Sequence, residues 1–370
     1  MSSLVRLLAI VLLTVPAVPS AQAAFSSIHV FGDGVSTTTN NPYAGAAYHG
    51  LRRSNGRVWV EVLAERQALP NNSVTNVTWT YSTNNYSFFA HYSSLLVQSI
   101  NGFNAPTDAG TALFVIWVAN ADFVFNVGNR ELGNQAEWTS ANHQTIANHW
   151  YALTNLYHAK GARTFVMPNA VDITKIPSYV DMSTENKNFV RQNIIEFNAA
   201  FYAMLDQARI LLPAARIYVP DMFALLDDIA AHPANYGVTN ALFEGKTVDA
   251  LSDETLTDKS LNGPGASYIW WDDTDPTAKV HAVMADITQQ LLSPPIVSQL
   301  THLGSSNRLD VANIPIGLNG YVDSRTDLVV GNWFSVTNFN STAATQTLFT
   351  PASGSGHFYR LRFPFAWSWP

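Results

Sequence analysis

Apolar residues recur along this chain in two rhythms. "SSIHVF" (26–31) alternates and predicts a strand. In "RVWVEVLAERQAL" (57–69), Val58, Val62, Leu63 and Leu69 fall at helical spacing. "TALFVIWVANADF" (111–123) holds an unbroken apolar run from Ala112 to Val118, which suits a strand buried on both faces. "ANHQTIANHWYALTNLYHAKGA" (141–162) places Ile146, Trp150, Leu153 and Tyr157 on one helical face, with Gly161 as the stop signal. A strand at 163–169, a helix at 188–212, a strand at 215–220 and a helix over "AKVHAVMADITQQLL" follow. Strands alternating with helices predict a parallel sheet covered by helices, with any ligand site beyond the carboxyl ends of the strands.

The rhythm changes at "SPPIV" (293–297). Beyond it come short alternating segments separated by turns: "NRLDVANIP", "GYVDSRTDL", "GNWFSVTNF", "ATQTLFTPA" and "HFYRLRFPF". They predict a small all-β sandwich over 298–370, with 293–297 as linker and 24–292 as the larger α/β domain.

Composition narrows the class. Of 370 residues, 47% are hydrophobic and only 13% charged, enough for a sizeable core. The net charge of −7 argues against a nucleic-acid partner. No cysteine is present, so disulfides, thiolate metal sites and cysteine nucleophiles are excluded. Residues 1–23 have one early Arg, an apolar run from Leu7 to Val15 and a small-residue end at Ala21-Gln22-Ala23. That is the layout of a secretory signal peptide cleaved near Ala23, and the run is too short for a membrane span. A secreted or cell-envelope location is expected, with no transmembrane span elsewhere.

The candidate chemistry lies where strands end. "FGDGVS" (31–36) leaves the first strand, "FVIWVANADF" the next, and "YIWWDDTDPTAKVHAVMADI" (268–287) lies near the end of the α/β region. With "GRVWVEVLA" (56–64) and "DMFALLDDIAAHPANYG" (221–237), these stretches, in this order, resemble the SGNH or GDSL family of ester hydrolases over residues 26–292. The resemblance implies a flavodoxin-like α/β/α sandwich and hydrolysis of lipid, sugar or small acyl esters, with no cofactor. It also implies a serine nucleophile, a His base oriented by an Asp three residues before it, and oxyanion donors from backbone N–H groups, a Gly and an Asn.

Carried over residue by residue, the pattern is degenerate. Gly34 stands where the family has its serine. Asp272 keeps the triad carboxylate, and Asp275 replaces the histidine. Ala121 falls on the oxyanion asparagine, with Asn120 one place early, and Ala90 matches the second-block glycine. Gly34 cannot form an acyl-enzyme. A carboxylic acid with an ordinary pKa of ~3.9 is a poor substitute for an imidazole at ~6.5. Three side chains could rebuild the chemistry: Ser36 as nucleophile, His91 as base, and His281. Ordinary roles compete with each, an N-cap for Ser36 and packed imidazoles for the histidines.

Asp33, Asp122, Asp272, Asp273 and Asp275 all sit on loops at the carboxyl end of the sheet. As one cluster they could hold Ca²⁺ or sugar hydroxyls; separately they would brace their loops. The aromatics Trp333, Phe358, Tyr359, Phe363, Phe365, Trp367 and Trp369 predict either a sandwich core or a strip that binds sugars or a partner. The sequence therefore describes an exported SGNH-like protein, hydrolase by descent and impaired in serine catalysis. Its expected ligand is a small-molecule, carbohydrate or lipid ester. The alternatives are a sugar- or cation-binding envelope protein, and a structural or adhesion protein attached through its C-terminal module.

Overall fold

The computed structural model describes residues 25–38, 45–67, 69, 84–314, 319–352 and 357–363. The expected signal peptide, and Phe365, Trp367 and Trp369, lie outside the described residues.

Four parallel strands in sequential order form the main sheet: β1 (Ile28–Gly32), β2 (Leu113–Trp117), β3 (Thr164–Val166) and β4 (Arg216–Tyr218). β1 and β2 run in register from Ile28 opposite Leu113 to Gly32 opposite Trp117. Every position of β1, β2 and β3 is buried, as the unbroken apolar run at 112–118 predicts. On the other edge of β1, Asn84 O accepts from Val30 N–H, while Tyr86 and Phe88 donate to the carbonyls of Val30 and Gly32. Residues 84–88 thus add a rudimentary fifth strand, which places β1 inside the sheet.

Among the described residues seven α-helices accompany it: α1 (Trp59–Arg66), α2 (Ser93–Gly102), α3 (Ala119–Asn129), α4 (Gln135–His158), α5 (Thr184–Leu211), α6 (Met222–Ala231) and α7 (Ala278–Leu292). α1 packs on α7, while α4 packs on α2 and α5. The two groups give the helical layers of an α/β architecture. Trp59 on α1 meets Trp117 at the end of β2 edge to face, with ring centres 5.5 Å apart. The predicted helices and strands are present, but the inward face of α4 is not the predicted one. It consists of Trp138, Ala141, Asn142, Thr145, Asn148, His149, Ala152, Leu153 and Leu156. Ile146, Trp150 and Tyr157 sit only at its flank. Hydrogen bonds allow polar residues on that face: Asn142 donates to Asn193 O at 3.0 Å and Asn148 to Ser93 Oγ at 3.0 Å.

A two-residue ribbon, β5 (Leu242–Phe243) with β6 (Lys246–Thr247), precedes the β-rich end. There two antiparallel three-stranded sheets face each other. One is ordered β11 (Thr345–Pro351), β8 (Ser306–Ala312), β7 (Ile296–His302); the other is β10 (Phe334–Asn340), β9 (Asn319–Arg325), β12 (Phe358–Arg362). Leu309, Val311 and Leu348 from one sheet meet Val322 and Leu361 from the other in a single core. β7 begins at Ile296, inside the stretch expected to be linker. Of the described aromatics, Phe363 belongs to this core, Tyr359 packs at its edge and Phe358 is exposed. Trp333 lies instead between the guanidinium groups of Arg325 and Arg360, at 4.7 and 4.6 Å.

Candidate active site

β1 ends in a turn with little steric freedom. A Cβ on Gly32 would lie 2.5 Å from Ser36 Cβ, so residue 32 must be glycine. Asp33 then caps a single 3-10 turn, Gly34–Ser36, its Oδ1 accepting from Val35 N–H at 3.2 Å. Gly34 is under no such constraint. A Cβ there would lie 3.5 Å from Phe89 Cδ2 and 3.8 Å from Asp275 Oδ1, both ordinary contacts. Residues 34 and 275 therefore face each other across open space, and nothing in the packing demands a glycine at 34.

The loop carrying Asp275 is folded by Asp272. Its Oδ1 accepts from the N–H groups of Thr274 at 3.0 Å and Asp275 at 2.7 Å. Its Oδ2 accepts from Tyr48 Oη at 3.0 Å and Arg53 Nη2 at 2.9 Å. Arg53 Nε also reaches Asp275 Oδ2 at 2.9 Å, and Thr274 Oγ1 donates to that oxygen at 2.7 Å. The three charged side chains are only 5–6% exposed. One guanidinium thus serves two buried carboxylates. Burial and the Asp272 charge push the pKa of Asp275 up, and Arg53 only partly opposes this. Where the resemblance implies an imidazole, the structure has a carboxyl group tied to an arginine. Arg53 drew no notice in the sequence. The available hint was electrostatic: "WWDDTD" sits among apolar residues and needs a counter-charge, and "LRRS" supplies it.

Ala90 is one of three non-glycine residues with positive φ, at 59°, among the described residues. The backbone there has the conformation that favours glycine, as its alignment with the family glycine implies. The N–H groups of Gly34 and Ala90 meet no acceptor among the described residues. Asn120 uses Oδ1 to accept from Val171 N–H at 3.0 Å, and its buried Nδ2 has no hydrogen-bond partner. Ala121, on the oxyanion position in the ungapped match, has no side-chain donor, and its N–H is used by Val118 O. The side-chain amide that lines the cavity is that of Asn120. Asp33 Oδ2 is likewise buried without a full hydrogen bond, and the Asn120 amide lies close enough to the Asp33 carboxyl to lower its pKa. Burial raises the Asp33 pKa to about 7, while N–H groups of Val35, Asn120 and Ala121 pull it the other way.

Asp33, Gly34, Ala90, Asn120, Ala121 and Asp275 all line one cavity of 180 Å³ at the carboxyl ends of the strands. The rest of its wall is apolar, with Val124, Ile173, Ile176, Leu225, Ile229, Trp270, Val280 and Met284. Such a wall suits an aliphatic chain, and the few polar groups converge at one end.

The three candidates for rebuilt chemistry lie elsewhere. Ser36 is fully buried and accepts from Trp59 Nε1 at 3.0 Å. The N-cap of its turn is Asp33, so Ser36 has neither expected role. His91 is buried, stacked on Phe88, with Nδ1 at 2.9 Å from Gly32 O and Nε2 at 3.0 Å from Ser99 Oγ. Burial lowers its pKa to about 4. His281 is buried against α1, with Nδ1 accepting from Trp59 N–H at 3.3 Å, and burial lowers its pKa to about 3. None of the three lines the cavity.

The five acids do not form one cluster. Asp122 secures the start of α2, accepting from Ser93 N–H and Oγ at 2.8 Å each. Asp273 is exposed and bonds Ser178. Asp272 is occupied by Arg53 and Tyr48. Among the described residues, no group of three or more His, Cys, Asp or Glu could hold a metal ion.

A parallel sheet with a cleft over its carboxyl ends, completed by a late loop carrying Asp272 and Asp275, fits the layout of an SGNH-type hydrolase domain. The chain belongs to the GDSL-like Lipase/Acylhydrolase family, which it matches over residues 28–288. It is 26% identical over 181 residues to a GDSL esterase/lipase of Arabidopsis thaliana, covering 47% of each chain. It is 25% identical over 148 residues to a thermolabile hemolysin of Vibrio parahaemolyticus, covering 38% of this chain and 34% of that protein. The chain thus spans less than half the length of these relatives.

Proposed function

We propose that this protein binds acyl compounds in the cleft of a GDSL-like hydrolase without turning them over by serine chemistry. The observation that carries this reading is the pair at its centre. Residue 34 has no side chain, and the group facing it is a carboxyl held by Arg53. Removing triad members costs ~10⁴–10⁶-fold in serine hydrolases. The oxyanion donors and the apolar wall survive, which supports retained binding. A cation site is disfavoured because Arg53 already neutralises the charge that a cation would need. The test is direct. Incubated with p-nitrophenyl butyrate and a fluorophosphonate, the protein is expected to match the buffer rate and carry no adduct. Turnover with a covalent label on one side chain would overturn the reading.

A second observation favours surface attachment through the C-terminal module. In the β9–β10 connection, Leu328, Val329 and Val330 are 53%, 88% and 70% exposed, and Phe334 is 66% exposed. Arg325 and Arg360 flank the neighbouring Trp333. An apolar tip beside guanidinium groups fits an anionic lipid surface. The leader-like residues 1–23 support export to such a surface. Among the described residues no helix is long and apolar enough to cross a membrane. Co-sedimentation with anionic vesicles, lost in Val329→Asp, is expected; unchanged sedimentation in that variant would remove the tip from the account.

A further inference from the structure

The space beside Gly34 has a definite size and chemistry. It is bounded by Phe89 and by Asp275 Oδ1, at 3.5 and 3.8 Å from where a Cβ would stand. No side chain fills this part of the cavity, which Gly34 and Asp275 both line. Asp275 Oδ2 is already taken by Arg53 and Thr274, so Oδ1 is the oxygen left to face a ligand. Nearby are the unused N–H groups of Gly34 and Ala90 and the Nδ2 of Asn120, whose neighbour in the unliganded site is the Asp33 carboxyl. An ester offers this arrangement one carbonyl oxygen, but its second oxygen carries an alkyl group. A free carboxylic acid offers two bare oxygens and, when protonated, a hydrogen to share.

Building on the acyl-binding reading above, we propose that the cleft captures free aliphatic carboxylic acids. One ligand oxygen lies among the Gly34, Ala90 and Asn120 donors. The other occupies the space over Gly34 and shares a proton with Asp275 Oδ1. The aliphatic chain lies along Ile176, Leu225, Ile229 and Met284. The protein would thus hold the acid half of the esters that its family splits.

Two carboxyl groups in contact need one proton between them, so binding weakens as pH rises. The charged and titratable groups around Asp275 set where this happens. Asp272 raises its pKa from within the same loop, and Asp33 raises it from the β1 turn, while Arg53 lowers it from the 45–55 segment. Tyr48, on that segment, stays protonated because its pKa is pushed up by burial and by Asp272. Asp273 points to solvent.

The experiment is calorimetric titration of the full chain with decanoic acid and methyl decanoate at about pH 5 and about pH 8. The acid is expected to bind about tenfold or more tighter than the ester at the lower pH, and to weaken at the higher one. Acids of increasing length should gain about fourfold per buried methylene. Gly34→Ala fills the space without a clash and should cut the preference for the acid over the ester about tenfold. Ester binding as tight as acid binding, or a preference unchanged in Gly34→Ala, overturns this proposal alone. Failure of both ligands to bind overturns the acyl-binding reading with it.

Discussion

Replacing Arg53 with methionine tests the account of the site at its electrostatic centre. The guanidinium is 5% exposed and serves Asp272 and Asp275 at 2.9 Å each. Methionine keeps much of the apolar stem and removes the guanidinium, with its charge, its hydrogen bonds and its contact over the Phe89 ring. The two carboxyls then face each other in a buried site with no cation. Removing one partner of a buried ion pair costs about 3–5 kcal/mol. At about 2 °C per kcal/mol for a domain of this size, the melting temperature should fall by roughly 6–10 °C near neutral pH. The loss should shrink on acidification, because protonating either carboxyl removes the repulsion. Arg53→Met with Asp275→Asn should recover part of it at neutral pH. Thermal melts by circular dichroism at about pH 5 and about pH 8 read both effects. A variant within about 0.5 kcal/mol of the parent, or one with the same deficit at both pH values, would refute the reasoning.

Other outcomes follow from single residues. Ala90→Gly relieves a left-handed backbone and should raise stability by about 0.5–1 kcal/mol in urea unfolding; a loss would show that the alanine methyl packs usefully. Asp33 has a pKa of about 7 when folded against 3.8 ordinarily, so the folded chain retains a proton that the unfolded chain releases. Its contribution to stability therefore falls as pH rises between those values and levels off above them. Asp33→Asn should flatten that part of the urea-midpoint profile, and an unchanged profile would contradict the assignment. Ser36→Ala removes the acceptor of Trp59 Nε1 and should cost about 1–2 kcal/mol with no change in acid binding; weakened binding there would place Ser36 in the site.

Much of the frame was legible because burial writes itself into composition. The run from Ala112 to Val118 reads as a two-sided strand, and β2 is one. The order of the motifs identified the domain, and Gly34 and Asp275 do face each other. What stayed hidden depends on contacts between distant segments. Arg53 reaches Asp272 across 219 positions, and no local pattern announces such a pair. The buried face of α4 carries Asn142, Thr145 and Asn148, whose hydrogen bonds to other elements make polar residues tolerable inside. The amide lining the cavity comes from Asn120, one place before the residue that ungapped alignment points to, Ala121. The rudimentary strand at 84–88 has too few paired residues to leave a period.

The Arg53 clamp makes a serine at 34 and a histidine at 275 unequal in how readily the site could accept them. A serine at 34 would enter open space with no neighbour displaced. A histidine at 275 would set an imidazole against the guanidinium and deprive it of one of its two buried counter-ions. Accommodating an imidazole at 275 therefore requires Arg53 to change as well. Electrostatics thus tie residue 275 to its carboxyl more firmly than packing ties residue 34 to its glycine.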